Sequence, residues 1–303
     1  MAGEQNETLP RRVGIVGLGL IGGSFARAYH AAGIEVLAAD TDDDTLSAAK
    51  VDVVNGTLDD ETIPTCDLIV LAAYPSACVA WLKEHAETLA AATDKTEMTG
   101  PVVIDTGGVK RAICDDAFRI ADASGFYFVG AHPMAGTQFS GYARSKADLF
   151  QGAPLVLVPP AMSDTEKLEI LGRIREYVRP LGFAKFTVTT PEEHDRVIAF
   201  TSQLAHVVSN AYVKSPTAQN HRGFSAGSYR DLTRVAHLNP GMWAELMMDD
   251  AEPLAFEIDH IVDALKRYSD ALKAGDEDRL RTLLAEGDRI KRALDDRLES
   301  EGK

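Results

Sequence analysis

Arg12-Val13-Gly14-Ile15-Val16-Gly17-Leu18-Gly19-Leu20-Ile21-Gly22-Gly23-Ser24 is an apolar run that breaks into glycines and reopens as a helical stretch. Arg12–Gly17 reads as a strand buried on both faces, as in a parallel sheet, and Gly22–Ala32 as the helix that follows. The spacing Gly17-x-Gly19-x-x-Gly22 permits a tight turn, close approach of backbone to a pyrophosphate, and close helix–strand packing. The N–H groups and dipole at the helix start favour anionic phosphates. Leu20 and Ile21 lie in the same phosphate-facing turn.

The bare pattern is common, and its context gives it weight. The second apolar run, Glu35–Ala39, ends in Asp40, placed to accept from the ribose 2′- and 3′-hydroxyls of NAD. A carboxylate there repels a 2′-phosphate, and the next residues are Thr41-Asp42-Asp43-Asp44 with no arginine. The expected cofactor is NAD rather than NADP.

Working outward, further strands are expected at Leu68–Ala72, Val102–Asp105, Tyr127–Gly130, Leu155–Val158 and Ala184–Val188. Helical stretches fall between them, among them Pro75–Ala92 and Val109–Ser124. This alternation predicts a doubly wound, mostly parallel α/β sheet of the Rossmann type. The character changes at Thr190-Pro191-Glu192-Glu193, a capping box with proline at the first helical position. Beyond it no strand is expected; helices are expected over Asp259–Leu272 and Asp276–Leu298, then a frayed polar tail. The expected division is therefore a nucleotide-binding domain over 1–190 and an all-α domain over 191–303.

The 303 residues suit two domains, and the formal net charge of −15 argues against nucleic acid and anionic membranes as partners. Three cysteines without a CxxC pair point away from a disulfide framework or structural zinc, and toward a reducing compartment. The opening MAGEQNETLP lacks the basic and apolar regions of a signal peptide, and Leu68–Tyr74 is too short to span a bilayer. A soluble cytoplasmic protein is expected. The eight histidines show no HExxH spacing and there is no GxSxG, so metal and serine-hydrolase chemistry are not expected.

Four segments carry candidate chemistry. Asp105-Thr106-Gly107-Gly108-Val109-Lys110 lies at the carboxyl end of an expected strand, where ligands bind in open α/β sheets; Asp105 and Gly107 are candidate cofactor contacts. The next strand runs into Gly130-Ala131-His132-Pro133-Met134-Ala135-Gly136-Thr137, a Gly/Pro-rich turn that would suit His132 to proton transfer beside a nicotinamide. After Thr190, Gln203, His206 and Asn210 share one helical face, either lining a cleft or facing solvent. Arg230 and Arg234 precede Pro240-Gly241-Met242-Trp243; arginine suits bidentate carboxylate recognition, although such charges are also common in surface ion pairs.

Together, GLIGGS at 19–24, DTGGVK at 105–110, HPMAGT at 132–137, His194-Asp195, the His206 helix and Arg230–Trp243 resemble the prephenate/arogenate dehydrogenase family, in the family's order and over most of the chain. The resemblance implies an N-terminal Rossmann domain and a helical domain that forms a homodimer. It also implies NAD-dependent oxidative decarboxylation of a cyclohexadienol: prephenate to 4-hydroxyphenylpyruvate, or arogenate to tyrosine, in tyrosine biosynthesis. On this resemblance His132 is the catalytic histidine that accepts the ring-hydroxyl proton, Arg234 the substrate-carboxylate ligand, and His206 a pocket histidine. His194 has a supporting part, because an uninterrupted helix would set it half a turn from Gln203; Thr137 and Trp243 complete the substrate set.

Two positions depart from the family's pattern. Gly108 replaces its usual serine, and Gln203-Leu204-Ala205-His206 replaces His-Leu-Pro-His. Both bear on the substrate, so 4-amino-4-deoxyprephenate joins prephenate and arogenate as an alternative. No length is expected to remain for a fused mutase or regulatory domain. A β-hydroxyacid or 6-phosphogluconate type dehydrogenase would need a lysine base on the helical domain that has no clear match here. A non-catalytic NAD-binding regulator would leave His132 and Arg234 unexplained.

Overall fold

The computed structural model describes residues 9–137, 139–221, 223–224 and 226–301. Most of MAGEQNETLP, read above for leader character, and the last two residues lie outside them.

Eight strands form one sheet: β1 (Arg12–Val16), β2 (Glu35–Ala39), β3 (Gly56–Thr57), β4 (Leu68–Leu71), β5 (Val102–Asp105), β6 (Tyr127–Pro133), β7 (Pro154–Val158) and β8 (Lys185–Val188). Their order is β3-β2-β1-β4-β5-β6-β7-β8. All neighbours are parallel except β6 and β7, the mostly parallel doubly wound sheet that the sequence predicts. The order reverses between β1 and β4, which opens a crevice at their carboxyl ends. One face of the sheet packs Phe25, Tyr29 and Phe150 over β1, β2 and β6; the other packs Trp81, Leu82 and Phe128.

Four elements differ from expectation. The two-residue β3 is too short to show a period. Pro75–Ala92 is two helices, Pro75–Glu84 and Ala86–Ala91, hinged at His85. The last helix continues to Glu301 rather than fraying from about 298.

The fourth concerns β6, which runs three residues beyond Gly130. Its first part pairs with β5, and Gly130–Pro133 then pair antiparallel with β7, His132 opposite Val156. His132 thus sits within a hydrogen-bonded strand and not on a turn. A strand holds a side chain more rigidly than a Gly/Pro loop would.

Two compact units emerge, 1–250 and 251–303. The second is a helical hairpin, Ala251–Ala274 and Glu277–Glu301, closed where Gly275 takes a left-handed φ of 67°. Among the described residues no helix is long and apolar enough to cross a membrane.

Candidate active site

The three glycines of the first loop divide their roles as the spacing predicts. Gly17 has φ 87°, and a Cβ there would meet the Ala72 carbonyl at 2.6 Å, just past β4. At Gly22 a Cβ would lie 1.9 Å from the Gly17 carbonyl, so only glycine lets the helix approach the strand this closely. Gly19 faces open space, with nothing within 4 Å of such a Cβ. It is also the N-cap of helix Leu20–Ala31 and makes no side-chain cap, so the first-turn N–H groups remain free for an anion. This cradle fits a pyrophosphate.

Asp40 stands beside the loop at the end of β2. One carboxylate oxygen accepts from Leu18 N–H at 2.6 Å and the other from Asp42 N–H at 2.8 Å. An ionised carboxylate has about four acceptor positions, so Asp40 shapes the glycine loop and keeps capacity for a diol.

Asp105 is placed differently from its assignment as a cofactor contact. It is fully buried and pairs with the buried Lys110 ammonium, while its oxygens also accept from Gly107 N–H (2.7 Å) and Ala131 N–H (2.9 Å). Lys110 Nζ donates in addition to the Ala131 carbonyl at 2.7 Å. The pair lies beneath the loop and fastens β5 to β6 beside His132. Removing either partner alone would leave an uncompensated buried charge, a cost of about 3–5 kcal/mol. Gly107 follows the same logic: a Cβ there would press on the Asp105 carboxylate at 3.0 Å.

His132, on β6, meets His194, on helix Pro191–Ile198, with Nδ1 to Nε2 at 2.9 Å. His194 Nδ1 lies 2.7 Å from Asp195 Oδ1. Asp195 is fully buried and accepts from Lys110 N–H (2.7 Å), Arg111 N–H (2.9 Å) and Arg111 Nε (3.3 Å). Burial pushes its carboxyl up, but the hydrogen bond from His194 and then the Lys110 and Arg111 backbone N–H groups outweigh it and hold the carboxyl below the ordinary value. The proton order follows from the carboxylate end. His194 donates from Nδ1 to Asp195, so its Nε2 accepts from His132 Nδ1–H. That leaves His132 Nε2 unprotonated, the state a general base needs. Burial, then His194 and the Lys110 ammonium, push the His132 pKa well below its usual value.

A second cluster forms on the helical segment. His206 donates from Nδ1 to the Ser202 carbonyl at 2.8 Å and stacks on Trp243, ring centres 4.1 Å apart. Asn210 donates to the Ala236 carbonyl at 3.2 Å, fixing the turn that follows Arg234. Arg234 is exposed, and among the described residues it has no hydrogen bond or ion pair. Thr137 is exposed, and among the described residues its side chain bonds within its own turn, to Phe139.

The helix is not uninterrupted. Ala199–Leu204 is π-helical, which retards later residues relative to α-helical phase. His194 and Gln203 are therefore both buried, at 3% and 2% exposure, instead of lying half a turn apart. Gln203 Oε1 is buried and has no donor among the described residues. Helix Pro240–Asp249, which carries Trp243, reaches the Asp105–Lys110 loop: a Cβ at Gly108 would meet Leu246 Cδ2 at 3.6 Å. No cluster of metal-ligating side chains occurs among the described residues.

Sequence reasoning did not assign Asp195, Lys110, Arg111 or Asp250. The His194-Asp195 dipeptide was a usable signal, because a carboxylate beside a histidine commonly sets its tautomer.

Two family models match, "Prephenate dehydrogenase, nucleotide-binding domain" over residues 25–182 and "Prephenate dehydrogenase, dimerization domain" over 190–286. A cyclohexadienyl dehydrogenase of Zymomonas mobilis is 29% identical, covering 95% of this chain and 97% of its own. The prephenate dehydrogenase of Bacillus subtilis is 28% identical over 84% of this chain and 69% of its own. Among solved structures, A. aeolicus prephenate dehydrogenase in complex with hydroxyphenyl propionate and NAD+ superimposes with a TM-score of 0.72 at 26% identity, covering 93% of this chain and 97% of that one. Synechocystis arogenate dehydrogenase gives 0.70 at 26% identity, covering 93% and 99%. On the glycine cradle, the hydrogen-bonded histidine pair and these matches, the chain belongs to the prephenate dehydrogenase family.

Proposed function

We propose that this enzyme is a prephenate dehydrogenase, a cytoplasmic homodimer that converts prephenate to 4-hydroxyphenylpyruvate in tyrosine biosynthesis. The observation that carries the reading is the Asp195–His194–His132 chain, which leaves His132 Nε2 free as a base. The functional halves divide at 190/191, with NAD bound by the first. NAD, when bound, supplies the hydride acceptor at ring C4. His132 takes the C4-hydroxyl proton, Arg234 holds a substrate carboxylate, and His206, Trp243 and Gln203 line the substrate site. Loss of the ring carboxylate as CO2 then makes the ring aromatic and renders the step irreversible. Homodimerisation is supported by the apolar side chains that the helical hairpin leaves exposed, including Phe256, Val262, Leu265, Leu272 and Leu284.

The test is a panel of prephenate, arogenate and 4-amino-4-deoxyprephenate, followed by NADH absorbance at 340 nm. Prephenate is expected to give the highest kcat/KM. Turnover of the 4-amino compound alone would overturn the substrate while leaving the cofactor and His132 in place. The same panel on Gly108→Ser probes the missing hydroxyl. A serine Cβ meets only Leu246, at ordinary contact distance, and water can bridge the polar groups that the hydroxyl would reach. Gly108→Ser should therefore keep or raise kcat/KM on prephenate by less than about tenfold, water-mediated bonds being nearly as good as direct ones. A loss of that size would mean that the added side chain crowds the substrate instead of taking the place of a bridging water.

Cofactor choice rests on Asp40. The double variant Asp40→Ser/Thr41→Arg should shift the NADP/NAD ratio of kcat/KM toward NADP by about tenfold or more, the equivalent of about 1.4 kcal/mol. Similar use of both cofactors by wild type would show that Asp40 does not discriminate.

A further inference from the structure

Arg111 joins two buried carboxylates that lie far apart in sequence. Its Nε reaches Asp195 at 3.3 Å and its terminal nitrogen reaches Asp250 Oδ1 at 3.2 Å. Both carboxylates have no exposed surface. Asp250 immediately follows helix Pro240–Asp249, which bears Trp243. One guanidinium thus ties the end of that helix to the carboxylate on which His194 and His132 are strung.

The charges do not balance. Two carboxylates share one guanidinium, and Asp250 Oδ2 is buried with no hydrogen-bond partner among the described residues. Burial and the neighbouring Asp195 push the Asp250 carboxyl up to about 6, with Arg111 opposing. Asp249, beside it, is raised by burial and by Asp195 as well. The other groups acting on this chain are Lys110, which lowers the His132 pKa, and its ion partner Asp105. Evolutionarily neutral packing would not need a second carboxylate here, since an apolar side chain would avoid the cost of an orphaned buried oxygen.

We infer that Asp250 is a positioning residue for the base: by holding Arg111 back from full pairing with Asp195, it keeps Asp195 a strong acceptor for His194 and so keeps His132 basic. The reasoning is electrostatic. Without Asp250, the guanidinium belongs to Asp195 alone, and a fully paired carboxylate accepts more weakly from His194 Nδ1–H. The negative field of ionised Asp250 is lost as well. Both changes lower the proton affinity of His132. A weaker base transfers the proton less readily.

The inference rests on the reading of His132 as base, and the experiment separates the two. Wild type, Asp250→Asn and Arg111→Lys are compared by kcat, KM and NAD Kd across pH, by thermal melting, and by ¹⁵N NMR of the histidine rings without substrate. Asp250→Asn keeps shape and removes the charge. It should lower the plateau kcat by about three- to tenfold, in line with Brønsted behaviour, and the difference from wild type should shrink as pH falls through about 6, where Asp250 itself takes up a proton. KM and NAD Kd should stay near wild type. Arg111→Lys keeps one charge but cannot fork to two carboxylates, and should change the His194 Nδ1–H signal seen by NMR. Wild-type plateau and ring signals in both variants would overturn the inference, as would a loss of melting temperature alone. Failure of wild type to turn over any substrate of the panel would instead strike the reading of His132, and the ring signals would then decide for or against Asp250 by themselves.

Discussion

His132→Asn is expected to lower kcat by about 10²–10⁴-fold, the usual contribution of a positioned general base, while NAD binding stays nearly intact. Asparagine is the informative replacement, because its amide can still donate to His194 Nε2 but has no basic nitrogen to take the hydroxyl proton. The position lies in the β6–β7 ladder, so backbone pairing does not depend on the side chain. The pH profile gives a second readout. His132 acts unprotonated, and its pKa is pushed well below 6.5 by burial, His194 and Lys110. Kcat should therefore stay level as pH falls through 6.5 and decline only below it. A mutant keeping more than about a tenth of wild-type kcat, well outside the range for a general base, would make His132 structural. An acid limb centred at or above about 6.5, the ordinary histidine value, would mean that His132 is solvated in the working enzyme.

What the sequence made legible was whatever local pattern dictates. Gly17, Gly19 and Gly22 revealed their roles because a turn, an open cradle and a close contact each exclude a side chain for a backbone reason. The parallel strands declared themselves as Val/Ile/Leu runs buried on both faces. The histidine at 132 was found, but its setting was not. A strand that changes partners from β5 to β7 leaves no mark in a run ending Gly-Ala-His-Pro.

Asp105 shows the opposite limit. A carboxylate at a strand's carboxyl end looks the same in sequence whether it turns up to a ligand or down to a buried lysine five residues on. The π-helical stretch at Ala199–Leu204 is likewise invisible, because one extra residue per turn changes phase without changing composition. The Asp195–Arg111–Asp250 bridge joins positions whose only sequence signal is their charge, and charges are mostly on surfaces. Local grammar thus located the cradle and the base, while tertiary pairing decided which acids and cations act on them.

Arg234→Ala is expected to raise KM for the carboxylated substrate with a smaller change in kcat. A charge-assisted, bidentate arginine–carboxylate contact is worth on the order of 2–4 kcal/mol when one partner is truncated, which corresponds to about 30- to 1000-fold in kcat/KM. The structural argument is that Arg234 is spoken for by nothing else: it is exposed and has no ion pair among the described residues, although acids outnumber bases 46 to 31 in this chain. It follows helix Gly227–Thr233, and the Asn210 bond to Ala236 at 3.2 Å anchors the turn beyond it to the helix that carries His206. The turn beyond Arg234 is thus tied to the helix that carries the His206–Trp243 stack. Arg234→Lys should recover only part of the loss, since an ammonium offers a point charge in place of a planar fork. Arg230, one turn earlier and equally exposed, is the control, and Arg230→Ala should stay close to wild type. A large KM effect at Arg230 with none at Arg234 would move the carboxylate site back by one helical turn, and with it the orientation of the substrate over His132.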